Sequence, residues 1–203
     1  MTRTFLPVAV LGCVAALSSQ VYAHVVLQNW EGVAGYQEYV TVVVPHGCGL
    51  SPTTELRVKI PEGIYILVPE DKPGWQTRVK TRKLDRPLPG EGGLKITEVA
   101  DEVSWVGGNL PPDRLGRFTM LVRLPNSPGA TLFFKTFQKC AQGESRWIDT
   151  VADGEPAWKV WATEHPSPFL VVKPSTAPQL GATMEQIAAE RARRKAATTA
   201  PRP

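Results

Sequence analysis

Histidine, cysteine and methionine are scarce in this 203-residue chain, with three of each. The glycine loop of nucleotide-binding proteins, GxSxG and HExxH are all missing, so no motif supports nucleotide chemistry, a nucleophile-elbow hydrolase or a zinc protease. A Ser-His-Asp set could be composed from such residues in almost any protein, so its presence carries no weight, and hydrolysis is a poor reading. Long apolar runs are missing too. Phe5 to Leu17 is about a dozen residues and contains Pro7, whereas a transmembrane helix needs roughly 20. The stretch from residue 24 to 173 also lacks an excess of either charge, with seventeen acidic and seventeen basic residues. The pI of about 9.0 therefore reports the tail. Nucleic-acid binding gains little from that tail, because its basic run has no stacking aromatics or groove beside it.

What is present begins with the layout of a secretory signal peptide over residues 1–23. Arg3 precedes the apolar run, and Val21-Tyr22-Ala23 puts compact residues before a cut. Cleavage after Ala23 makes His24 the first residue of a periplasmic or secreted protein. A cut one or two residues away would leave His24 elsewhere, as would lipoprotein processing at "VLGC" (Val10 to Cys13). Only about six apolar residues precede that motif, fewer than the usual signal core.

Residues 24–173 form one domain large enough for a substantial core. Residues 174–203 are rich in Ala, Pro and Arg and have no aromatic residue; they are expected to be a largely disordered tail. Thr183 and Gln186 form a capping-box pattern that predicts a short helix over 184–196. The basic tail suits anionic lipid or an acidic partner, against the plainer reading of a solvated end. Of the cysteines, Cys13 lies in the signal, leaving Cys48 and Cys140. An even count in an exported chain predicts a disulfide, closing a loop worth on the order of 4 kcal/mol in the chain-entropy picture. A two-thiolate metal site is the alternative.

Short alternating runs fill the body. In Leu56-Arg57-Val58-Lys59-Ile60 apolar and charged residues alternate strictly, and Phe118, Met120, Val122 and Leu124 repeat the pattern. Turn sequences such as "PEG", "PGEGG", "GGNLPPD" and "PNSPG" separate about ten such runs, and no helical period appears before residue 183. The pattern predicts an all-β antiparallel sandwich, with a barrel as second choice.

His24 is the most informative residue for function. A terminal His offers its amine and ring Nδ1 to one ion, closing a six-membered chelate within a single residue. Two nitrogens at right angles suit Cu(II), which heads the divalent affinity order. The amine must lose its proton, which a metal achieves readily from a reference pKa of about 8. A hairpin through "AQGE" brings Trp147 near the strand of Cys140, and the disulfide draws Cys48 and His46 toward it. His24, His46 and Trp147 then converge if the first strand pairs alongside. Trp147 as ordinary core and His46 as a loop cap are the plainer readings. His165, in "EHPSPF", is expected to be solvated near the tail.

The motifs "AHVVL", "VPHGCGLSPTTELRVKIPEG" (44–63), "KPGW" (72–75), "VSWVGGNLP" (103–111) and "KCAQGESRWI" (139–148) resemble the YcnI-like copper-binding domain of exported bacterial proteins. The resemblance implies an immunoglobulin-like or fibronectin-like sandwich holding one Cu(II), with the terminal His as chelate, a loop carboxylate as further ligand and a Trp against the ion. His24 and Trp147 carry over. The carboxylate does not, because "HGCGLS" contains no acid. His46 is expected in its place, with Glu31 and Glu55 in reserve. The implied function is copper storage, buffering or delivery, with a copper-trafficking or membrane copper-transport partner. A copper-dependent oxidase resembling polysaccharide monooxygenases is the alternative, and a metal-independent adhesion module is a third.

Overall fold

Alternation in sequence becomes alternation in burial. Along β8 (Gly116–Arg123) Phe118, Met120 and Val122 are buried while Arg117, Thr119, Leu121 and Arg123 face outward or sit half-buried, the period-2 pattern of a strand covering a core on one side. The computed structural model describes residues 24–90, 94–175 and 184–199, so the predicted signal segment and Thr183 lie outside the described residues.

Among the described residues twelve strands form three sheets. The first contains β1 (Val26–Leu27), β3 (Gln37–Val44), β8 and β5 (Leu67–Pro69), in that order. The second runs β11 (Glu144–Trp147), β10 (Thr136–Cys140), β4 (Thr53–Lys59), β7 (Lys95–Leu110) and β6 (Gln76–Pro89). These two supply the main core, in which Val40, Val42, Phe118 and Met120 of one meet Leu56, Val58, Val103 and Trp105 of the other. The Trp105 and Phe118 rings lie 5.4 Å apart. Burial of this kind is worth roughly 1.5–3 kcal/mol per large apolar side chain. A third sheet, β2 (Glu31–Val33), β12 (Phe169–Lys173) and β9 (Thr131–Phe133), carries one parallel pairing, β2 with β12. That pairing joins the two ends of the domain, so the whole chain serves as its crossover and the usual length limit on parallel connections does not apply.

The alternating runs "KITEVA" and "EVSWVGG" form the single strand β7. No glycine or proline separates them, and their pairing with β6 shifts register at Lys80/Thr81 and at Lys83/Leu88. The motifs "KPGW" and "VSWVGGNLP" interlock: a Cβ on Gly108 would lie inside the Trp75 ring, so only glycine admits that indole. Beyond the sandwich, helix α1 (Met184–Thr199) extends the predicted 184–196 helix by three residues, and Glu190 pairs with Arg193 and Arg194 one turn on. Among the described residues no helix is long and apolar enough to cross a membrane.

Candidate metal centre

β1 lies antiparallel to β3 with Val26 opposite Val43. Continuing that register by two residues brings His24 level with Pro45, next to His46. On the other side, the β10–β11 hairpin sets Trp147 opposite Thr136, and the indole packs 5.6 Å from the His24 ring, centroid to centroid. His24, His46 and Trp147 line one cleft of about 850 Å³. The convergence expected from the sequence is what the register and the hairpin produce.

The loop carrying His46 is held tightly. Cys48 is disulfide-bonded to Cys140 with Cα atoms 6.0 Å apart, so the two sulfurs are bonded to each other and the thiolate-site alternative falls away. A Cβ on Gly47 would lie 2.1 Å from the Ser51 carbonyl oxygen and 2.9 Å from Pro112 Cβ, and Gly47 N–H donates to Pro112 O at 3.2 Å. His46 Nδ1 lies 2.6 Å from Gly47 O. A carbonyl only accepts, so Nδ1 carries the proton and the lone pair of the neutral ring belongs to Nε2. Ligand histidines are commonly oriented by such a bond from the second ring nitrogen.

Sequence reasoning missed the residue that ties the cleft together. Gln138 is fully buried; its amide NH₂ donates to His46 O at 2.7 Å and to Thr53 Oγ1 at 2.8 Å. Its carbonyl oxygen accepts the Trp147 indole N–H at 3.2 Å. One side chain thus fixes both the His46 loop and the Trp147 ring. The signal was present in "TFQKC": the buried positions of β10 are Thr136, Gln138 and Cys140, while Phe137 is left half-buried. An inward polar row on a sandwich strand demands partners, because buried amides without them are costly.

His24 ionises below the usual histidine range, first because partial burial strips its hydration and then because His46 is close. Both causes favour the neutral ring that a metal requires. His165 is solvated as expected, with 52% side-chain exposure, yet it is not remote from the other two. Its carbonyl accepts the N–H groups of Ile148 and Asp149 at 2.9 and 2.8 Å, and its own N–H donates to Asp149 Oδ2 at 2.8 Å. These bonds hold the "EHPSPF" loop against the end of β11, so all three histidines of the chain line the same cleft.

The reserve carboxylates stand elsewhere. Glu31 pairs with Lys173 at 2.9 Å; Glu55 pairs with Arg57 at 3.2 Å and reaches Lys139 at 4.0 Å. Neither lines the cleft. Among the described residues no group of three or more His, Cys, Asp or Glu is arranged to hold a metal, so a donor set built on His24 and His46 would need a third nitrogen, which the amine of His24 would supply if processing exposed it. That set fits Cu(II) on chemical grounds, being all nitrogen and suited to tetragonal geometry.

Residues 24–172 match the family model described as a domain of unknown function, DUF1775. Among solved structures, the chain is similar to an uncharacterized protein from Nocardia farcinica whose crystal structure reveals an immunoglobulin-like fold. Identity is 24% and the TM-score 0.52, over 74% of this chain and 98% of that one. No curated protein matches the sequence. The similarity supports the immunoglobulin-like sandwich, and with a family match over most of its length the chain belongs to the DUF1775 family, which includes the YcnI-like proteins.

Proposed function

We propose that the exported protein, processed to begin at His24, binds one Cu(II) ion and stores, buffers or delivers it to a copper-trafficking or membrane copper-transport partner. The observation that carries this reading is the meeting of His24 and His46 in one cleft beside Trp147, with the tautomer of His46 set by Gly47 O. His24 would contribute its amine and ring Nδ1, and His46 its Nε2. Bound copper would add one exchangeable cation at the cleft. Trp147 keeps one wall apolar, while the depressed ionisation of His24 keeps its ring ready for a metal near neutral pH. Because Cys48 and Cys140 are bonded together, the described residues offer no thiolate of the kind a blue-copper electron carrier requires.

The test is a Cu(II) titration of protein starting at His24 beside a version bearing one additional amino-terminal alanine. The extended form keeps both imidazoles and loses the chelating amine, so its affinity should fall by at least tenfold. Equal affinities would refute the chelate. The copper-dependent oxidase stays as a second reading on one observation: Trp161, which lines the cleft, meets exposed Trp30 edge-on at 5.0 Å, an aromatic pair beside the histidines. Glycan products formed with ascorbate and oxygen, and dependent on His24, would favour it.

A further inference from the structure

At the opposite end of β3 from His46, the last residue of β8 faces a second pocket. Arg123 pairs with Gln37 at the start of β3 and, with Tyr65, Leu88, Pro89, Ile96 and Leu124, lines a pocket of about 400 Å³. That volume lies within the range of small-molecule sites, which are mostly apolar with a few placed polar groups. Among the described residues the guanidinium is the one charged group on this wall. Its Nε and Nη1 are sealed from solvent and make no hydrogen bond among the described residues, nor does Arg123 form a salt bridge there. One register step away Tyr36, whose carbonyl accepts Leu124 N–H at 2.8 Å, carries a buried hydroxyl that is also without a partner.

Two guanidinium nitrogens shielded from water and given no acceptor among the described residues are costly, and native proteins rarely leave such groups so. The backbone does not require an arginine here: Arg123 N–H already bonds Ile66 O at 3.0 Å, so the strand would keep its ladder with an apolar residue. We infer that this pocket is a binding site for a small amphipathic carboxylate, whose head compensates the Arg123 charge and whose hydrocarbon body lies on Leu88, Pro89 and Ile96. Arginine matches such a head because its planar fork complements two carboxylate oxygens. The site is separate from the copper cleft and does not depend on the copper reading.

The experiment measures binding of octanoate, octan-1-ol and inorganic phosphate to the His24-initiated protein and to Arg123→Met, by calorimetry and by thermal shift. Octanoate should bind saturably and roughly ten- to a hundredfold more tightly than octanol, the factor of one charge-assisted hydrogen bond. Arg123→Met should erase that difference. Since the substitution removes two buried, unpartnered nitrogens, the variant should melt at or above the wild-type temperature, which separates loss of the site from loss of the fold. Equal binding of octanoate and octanol, unchanged octanoate binding by Arg123→Met, or no octanoate binding at all would overturn the assignment. Phosphate binding as tight as octanoate would do the same, since the apolar wall would then contribute nothing.

Discussion

Replacing Gln138 by leucine tests how the cleft is built. The side chain makes three hydrogen bonds, to His46 O, Thr53 Oγ1 and the Trp147 indole. Each such bond is worth about 1 kcal/mol net, and a buried donor left without a partner costs about 1–3 kcal/mol. Leucine fills nearly the same volume, so no large cavity opens. The Trp147 N–H and the Thr53 hydroxyl, both in buried residues, would be stranded, whereas His46 O sits nearer the surface and can turn to water. A loss of roughly 3 kcal/mol follows, which for a domain of this size is a fall in Tm of roughly 6–12 °C. The His46 loop and the Trp147 ring would lose their shared anchor, and losing a hydrogen-bonded support behind a ligand weakens metal affinity roughly ten- to a hundredfold. Thermal melts followed by circular dichroism and Cu(II) competition against a chromophoric chelator read the two effects. Gln142→Leu, on the exposed hairpin turn, should change neither. A Gln138→Leu protein with wild-type Tm and copper affinity would refute the idea that this amide organises the site. If the wild type itself took up no copper, the Tm drop would still test the network while the copper reading failed separately.

Two further outcomes follow from the same cleft. Because the folded state holds His24 below the ordinary value of 6.5, the unfolded chain takes up a proton that the folded chain declines. The stabilisation is complete above about pH 6.5 and is lost as pH falls toward the depressed value, so the copper-free protein should lose more Tm from pH 7 to pH 5.5 than His24→Gln does. Parallel slopes would contradict that. Gly47→Ala should displace the His46 loop, since its Cβ would collide with Ser51 O; we expect a Tm lowered by several degrees and weaker copper binding, measured by the same melts and competition titrations, whereas Gly49→Ala, with nothing within 4 Å of the added carbon, should lower Tm only through its positive φ.

Much of this protein was legible from the chain alone. Period-2 alternation in "ELRVKIP" and "GRFTMLVRLP" fixes which residues turn inward, because a strand has only two faces, and the two cysteines left outside the predicted signal segment pointed to the Cys48–Cys140 bond. His46 and Trp147 could be brought together by local logic: one hairpin and one covalent bond. Other features depend on contacts between distant segments. The parallel β2–β12 pairing, the position of His165 beside the other imidazoles, the commitment of Glu31 and Glu55 to lysine and arginine partners, and the hub role of Gln138 have no short-range signature. Each depends on which surfaces meet once both sheets have closed on the core. Sequence determines the chemistry each residue can offer and the face it takes on its own strand; only packing decides which partners use up that capacity, because a hydrogen bond or ion pair forms wherever the closed fold brings donor and acceptor within about 3 Å.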